Sequence, residues 1–320
     1  MEASNSVILI TGAGGWLGSE LTKQLLEKGK KVRALNYNET ENLKKLKEQY
    51  KENLEIIIAD ICNETIIKEA LKGVDTLYHL AAKVHVIPTN KEEEKEFYKV
   101  NTEASEILFK QSIENNVQRV IFFSTVSVYK QSNEEISINS IKDPITVYGK
   151  SKLEAEKIAN KLYKEKGLPI TIIEPVTVYG EGDVGNFKKI EKLIDKGICI
   201  RFGNGENKKT VIYYKDLIKM VTQIAEDKTK IGETIICGTE VLTLNEINDT
   251  LIRKANKKVF KLYIPLFLSN FIKTICSFSF LKKIKRKIMA LTQNNEFKIE
   301  YKLKDYTRFK DYELKEEEIK

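Results

Sequence analysis

Tyr148 and Lys152 stand four residues apart in the run Tyr148-Gly149-Lys150-Ser151-Lys152. On a helix that spacing sets both side chains on one face. A phenol ordinarily titrates near ~10. A neighbouring ammonium favours the phenolate and draws that value toward neutrality, which would make Tyr148 a general acid/base. Tyr-x-x-x-Lys spacings recur by chance in a lysine-rich chain. This one is set apart by the preceding segment FFSTVSVY, a β-type run that ends on Ser124 and Thr125. A hydroxyl there points into a crevice and can hydrogen-bond a substrate oxygen. That role is assigned to Thr125, and strand-end capping to Ser124. The chemistry implied is proton transfer at an alcohol or carbonyl oxygen.

A second motif supplies the partner of that proton transfer. VILITGAGGWLGSELTKQLLEKG reads as a strand, a glycine turn and an amphipathic helix, with Gly12, Gly15 and Gly18 spaced G-x-x-G-x-x-G. Glycines there permit the tight turn and let backbone N–H groups, those of Trp16 and Leu17 included, approach a pyrophosphate at the helix start. The last glycine allows close helix–strand packing. The expectation is a dinucleotide cofactor and hydride transfer. The acid that would end the second strand and hold the adenosine ribose is missing. Asn36, Tyr37 and Asn38 stand there, with Arg33 and Lys44 nearby as cations that could meet a 2′-phosphate, so these residues leave NAD against NADP open. Asp60, followed by Ile61 after the third strand, is a candidate for the adenine amino group and equally for a helix N-cap.

These motifs need a scaffold, and the first 180 residues supply its rhythm. Strand-like runs at Val7–Thr11, Lys31–Asn36, Leu54–Ala59, Thr76–Leu80, Arg119–Ser124 and Pro169–Glu174 alternate with helical patterns. The helical patterns are Trp16–Lys28, Glu39–Tyr50, Asn63–Lys72, Glu92–Asn115 and Thr146–Lys166. This predicts an α/β fold, a Rossmann-type doubly wound parallel sheet with ligands at the strands' carboxyl ends. Residues 1–180 are read as the dinucleotide-binding domain. Residues 181–320 are read mainly as a smaller substrate lobe that returns in part to the sheet and ends in a polar tail. Glycines at 180, 182, 185, 203 and 205 mark the change of rhythm.

The composition narrows the setting. Hydrophobic residues make up 42%, enough for a large core, and the formal charge is 54 − 46 = +8. Lysines interleave with glutamates as on solvated helix faces, so nucleic acid is not expected as a partner. Cys62, Cys199, Cys237 and Cys276 are scattered, which argues against zinc or a disulfide framework and for a reducing, cytoplasmic setting. The N-terminal residues carry no leader pattern. Val259–Leu281 is apolar but broken by Lys261, Pro265, Asn270 and Lys273, too polar to span a bilayer. With KKIKRK at 282–287 it reads as a capping helix with a basic end, or as a segment lying on an anionic membrane surface.

Together the motifs resemble the extended short-chain dehydrogenase/reductase family, in its nucleotide-sugar epimerase/dehydratase branch. The resemblance is carried by TGAGGWLG, Ala59-Asp60, HLAA at 79–82, Val100-Asn101, STVSVY, YGKSK and EPVTVYGEGD, over roughly residues 7–220. It implies that Ala81 and Ala82, with Leu80 beside them, line the cofactor and that Asn101 braces the site from its helix. It also implies that Thr125 is the catalytic hydroxyl, that Lys152 holds the nicotinamide ribose and that Pro175 packs near the nicotinamide. HLAAKVHV, Gly185-Asn186-Phe187 and GNGENKKTVIYYKDL are similar to bacterial UDP-hexose 4-epimerases and 4-ketoreductases. By that likeness Asn186 and Lys209 face a nucleotide diphosphate, His85 lies near the sugar and Asp216 belongs to the substrate lobe. Three positions depart from the pattern: Glu174 and Lys209 replace arginines, and Thr177 replaces an asparagine. Val126-Ser127 follow Thr125 where dehydratases carry an Asp-Glu pair, which disfavours water elimination. The resemblance further implies a homodimer packed through Glu92–Asn115 and Thr146–Lys166.

Overall fold

The computed structural model describes residues 6–84, 86–183, 185–265 and 293–311. The elements begin with β1 (Val7–Thr11), α1 (Trp16–Glu27), β2 (Lys31–Asn36), α2 (Glu41–Gln49), β3 (Leu54–Ile58), α3 (Glu64–Ala70) and β4 (Val74–His79). They continue through α4 (Lys91–Tyr98), α5 (Ala104–Glu114), β5 (Arg119–Phe123), α6 (Val147–Lys166), β6 (Ile170–Pro175) and β7 (Thr177–Tyr179). Then come α7 (Asn186–Asp195), β8 (Ile198–Phe202), β9 (Lys208–Tyr213), α8 (Tyr214–Glu226), β10 (Thr234–Cys237), β11 (Glu240–Thr243), α9 (Leu244–Ala255) and β12 (Phe260–Ile264).

The chain divides into two compact units, the first formed by Met1–Lys130, Ser140–Pro175 and Leu217–Cys237. Its seven-stranded sheet has the order β10-β6-β5-β4-β1-β2-β3, and the pairings are parallel. A parallel sheet is covered on both faces, which is why all five residues of β5, Arg-Val-Ile-Phe-Phe, are buried. The strand order reverses between β1 and β4, and Thr11 pairs with both Leu35 and His79. The carboxyl ends of β1, β2 and β4 therefore lie level at the switch point, where such sheets hold their ligands. Local chemistry fixes α6: the Thr146 hydroxyl accepts from Gly149 N at 3.0 Å, and Gly167 ends the helix at φ 70°.

The second unit comprises Gln131–Asn139, Val176–Asp216 and Gly238–Lys320. It holds a three-stranded sheet, β11-β9-β7, and a two-stranded one, β12-β8. Tyr179, Phe187, Tyr213 and Phe309 pack as an aromatic cluster, with Tyr179 and Phe309 edge-to-face at 4.8 Å.

Two elements differ from the sequence reading. The span Glu92–Asn115 is broken by a π-helical turn at Lys99–Glu103. The apolar stretch Val259–Leu281 opens as a strand, β12, in place of a helix, with Phe260 and Tyr263 exposed; residues 266–281 and the basic run 282–287 lie outside the described residues. Among the described residues no helix is long and apolar enough to cross a membrane.

Candidate active site

The turn after β1 is built for an anion. Gly12 sits at φ +72°, a conformation that L side chains rarely adopt, and a Cβ there would lie 2.7 Å from Ala81 N. Helix α1 is capped by Gly15 with no side-chain hydrogen bond, and its first turn carries no acid. The N–H groups of this first turn lie at the positive end of the helix, where an anion is favoured. This donor set fits a dinucleotide diphosphate.

β2 closes that turn from the side. Asn36 Oδ1 accepts from Gly14 N at 3.0 Å, while its amide donates to Asn38 O at 2.6 Å. Arg33 points elsewhere, donating to Glu55 at 2.6 Å and to the carbonyls of Ala70 and Lys72. Lys44 pairs with Glu39 at 3.1 Å on the surface. Asp60 is exposed and accepts from Cys62 N at 2.9 Å. The cap of α3 is Asn63, which accepts from Ile66 N, so the N-cap reading of Asp60 is replaced. Ile61 is buried in the core.

Behind the turn runs a buried polar chain that the sequence did not disclose. His79 is fully buried at the end of β4, with Nδ1 2.8 Å from Thr11 Oγ1 and Nε2 2.8 Å from Ser105 Oγ. The Ser105 hydroxyl donates to Asn101 O, so His79 must carry its proton on Nε2 and accept at Nδ1. Burial, and then the charge of Lys152, hold the imidazole well below its ordinary value, which keeps it neutral. Asn101 lies on the π-turn, fully buried. Its amide donates to Lys83 O at 3.1 Å and Ser151 Oγ at 3.0 Å, and its oxygen accepts from Lys83 N at 2.7 Å. The chain thus links β1, the segment Leu80-Ala81-Ala82-Lys83 and α6.

Helix α6 brings Tyr148 to the end of β5. A Cβ on Gly149 would lie 2.4 Å from Ser127 O, so only glycine lets the first turn approach that loop. There the Thr125 side chain, which accepts from Ser127 N at 3.1 Å, lies close enough to the Tyr148 hydroxyl to lower its pKa. Lys152 is 1% exposed, its Nζ 4.2 Å from the centre of the Phe122 ring. The titration differs from the sequence expectation. Burial pushes the Tyr148 phenol up to about 12, with the Thr125 hydroxyl opposing it. Burial brings Lys152 down to about 7, with Glu156 opposing. Desolvation outweighs the pull of the amine on the phenol because both groups have lost water.

Beneath this pair, Glu174 closes β6 with its side chain fully buried, and Glu156 lies one turn beyond Lys152. Burial, and then the charge of Glu156, raise the Glu174 carboxyl to about 7. A raised carboxyl holds a proton in the folded state that the unfolded chain releases. Its stabilisation is full below the ordinary carboxylate range and is lost as pH climbs through about 7. Glu174→Gln is expected to flatten the fall of melting temperature between about pH 5 and about pH 8, measured by scanning fluorimetry. An unchanged slope would refute the assignment.

In the second unit Lys209 is buried, and its Nζ donates to Gln293 O at 2.7 Å; burial brings it down to about 8. Asp216 accepts from Thr307 N at 2.7 Å, and Thr177 lies in β7 opposite Val211. Asn186 opens α7, its side chain outside the described set, as is His85. Pro175 ends β6 in the first unit, paired with Cys237.

A glycine turn at the switch point and a Thr–Tyr pair with a buried lysine beyond β5 define the extended short-chain dehydrogenase/reductase class. Within it the chain belongs to the NAD dependent epimerase/dehydratase family, matched over residues 8–238. It is 30% identical over 241 residues to an uncharacterized UDP-glucose epimerase of Bacillus subtilis, covering 72% of this chain and 76% of that one. It is 28% identical over 267 residues to the UDP-glucose 4-epimerase of Vibrio cholerae, covering 81% and 79%. Among solved structures, the UDP-glucuronic acid 4-epimerase of Bacillus cereus in complex with NAD superposes with a TM-score of 0.72 at 26% identity, over 81% of this chain and 87% of that one. The chain is thus an NAD-dependent enzyme of this family.

Proposed function

We propose that the enzyme is a UDP-hexose 4-epimerase that works through a 4-keto intermediate. The observation that carries the reading is the buried Tyr148 phenol beside the Thr125 side chain after β5, with the buried Lys152 amine one turn further along α6. The relatives in Bacillus subtilis and Vibrio cholerae and the Bacillus cereus structure, all named as epimerases, support it. Val126-Ser127 in place of an acid pair argues against dehydration.

In this reading Thr125 orients the sugar 4-oxygen and Tyr148 takes its proton, returning it once the sugar has presented its other face. NAD, when bound, supplies the hydride acceptor and donor. The turn from Gly12 to Gly18 would hold its diphosphate, Asn36 its adenosine ribose, Leu80, Ala81 and Ala82 its flank, and Lys152 its nicotinamide ribose. Lys152, balanced near neutrality, offsets the charge of the phenolate.

Mass spectrometry of the purified protein should find NAD. Incubation with UDP-glucose, UDP-galactose and UDP-glucuronate should then yield the 4-epimer of one of them with no net absorbance change near ~340 nm, because hydride is returned each cycle. Stoichiometric loss of added NADH or NADPH on a UDP-4-keto sugar would replace epimerase by 4-ketoreductase. Protein that holds NAD and turns over neither class would make the chain a binding protein.

A further inference from the structure

Two carboxylates lie side by side beneath the strand end that carries Thr125. The Glu174 and Glu156 side chains are 0% and 2% exposed. The segment ahead of α6 sends one cation in to meet them. Lys142 Nζ stands 2.6 Å from Glu174 Oε1 and 2.5 Å from Glu156 Oε2, and 5.1 Å from the centre of the Tyr129 ring. Each carboxylate also takes a hydroxyl: Ser124 donates to Glu156 Oε1, and Tyr129 donates to Glu174 Oε2 at 2.7 Å.

The charge count gives the arrangement its meaning. Two carboxyl groups share one ammonium in a dry site, so ionising both would leave a negative charge uncompensated. The next cation is Lys152, on the same helix face as Glu156, whose charge acts upon it. Among the described residues the other titratable groups that face the cluster are the Tyr129 phenol and the Cys237 thiol, the latter on β10 beside β6. Among the described residues Lys142 is thus the one group that bonds both carboxylates. Burial pulls its ammonium down, but Glu174 and Glu156 outweigh that and its pKa stands raised, so it is charged at neutral pH.

We propose that Lys142 is a positioning residue of the reaction: it clamps Glu156 against Ser124, the neighbour of Thr125, and so fixes the strand end and the carboxylate that faces Lys152. The proposal rests on the epimerase reading for its kinetic test. Removing the clamp leaves two buried like charges, which separate or share a proton. Either outcome shifts Ser124 and Thr125 relative to Tyr148, and displacements on the order of an ångström cost up to ~100-fold in rate.

The test is steady-state kinetics of the NAD-loaded enzyme on the UDP-hexose it epimerises. Lys142→Met should lower kcat about 10- to 100-fold with KM and NAD content within about threefold of wild type. Lys142→Arg, which keeps the charge, should hold kcat within about threefold. Lys142→Met combined with Glu174→Gln removes one charge of each sign and should regain at least about fivefold over Lys142→Met alone. A folded Lys142→Met with wild-type kcat, a loss confined to KM, or a folded double variant no better than Lys142→Met would overturn the proposal. If Lys142→Met fails to fold, the other two variants carry the test, and both must turn over within about tenfold of wild type. A readout independent of substrate separates this proposal from the epimerase reading. Lys142→Met should steepen the fall of melting temperature as pH rises, since Glu174 must then ionise without its cation, and Glu174→Gln should cancel the change. Wild-type protein inert on every UDP-hexose sinks the epimerase reading alone, while a Lys142→Met melting profile parallel to wild type sinks the clamp.

Discussion

Tyr148→Phe is expected to lower turnover about 10²- to 10⁴-fold while NAD content and KM stay close to wild type. The substitution removes one oxygen and leaves the ring, so packing at the head of α6 is preserved. What is lost is the hydroxyl beside Thr125, the group that carries the substrate proton in the proposed mechanism. The environment makes a substitute hard to find. Burial sets the phenol at about 12, and the nearby imidazole of His79 is sealed between Thr11 and Ser105 and held neutral. Lys152 titrates near neutrality, but its flexible stem does not reproduce the fixed phenol. Steady-state rates, with mass spectrometry of the bound dinucleotide, decide the matter. A Phe variant that keeps more than about a tenth of the wild-type rate would remove Tyr148 from the acid/base role.

The scaffold around that residue was legible where the signal is local. β1 and β2 begin and end at the residues where the β-branched runs do, and α6 stops at Gly167 because only a left-handed residue terminates it so sharply. The glycine turn was legible because backbone approach leaves a mark in residue type. What escaped was non-local. Lys142 sits in a polar segment with no periodicity, and nothing near it in sequence announces two carboxylates 14 and 32 residues away. His79 ends an ordinary strand, and its partners come from positions 68 residues before it and 26 after. The π-turn that presents Asn101 adds a residue to a helix whose apolar pattern runs through unbroken. The return of the C-terminal part to the sheet was expected only in outline, and its strand, β10, and its place beside β6 are set by tertiary packing. The titration of Tyr148 was read from its neighbour, yet burial decides it, and burial is not a property of spacing.

The second large effect concerns the anion site, and it needs no substrate. Gly18 and Gly15 share one turn but make opposite predictions. A Cβ on Gly18 would lie 2.1 Å from Gly12 O and 2.9 Å from Ala13 Cα, both backbone atoms that cannot rotate away. Helix α1 must then retreat from the turn, and Gly12 O, which accepts from Gly15 N at 3.0 Å, moves with it. Overpacking of this kind costs about 1–3 kcal/mol. Gly18→Ala should therefore lower the melting temperature by several degrees and strip NAD from the purified protein. Gly15 is exposed at φ −72°, which alanine adopts freely, and its Cβ would meet one atom, Gly12 O at 3.2 Å. Gly15→Ala should fold with a melting temperature near wild type, yet its methyl group would project where the diphosphate must approach the N–H groups of Trp16 and Leu17. NAD affinity, read by calorimetric titration of stripped protein, should fall at least about tenfold, a loss of about 1.4 kcal/mol. Stability and affinity are thereby separated within one turn. A Gly15→Ala protein that binds NAD as tightly as wild type would mean that the diphosphate does not rest on this helix start.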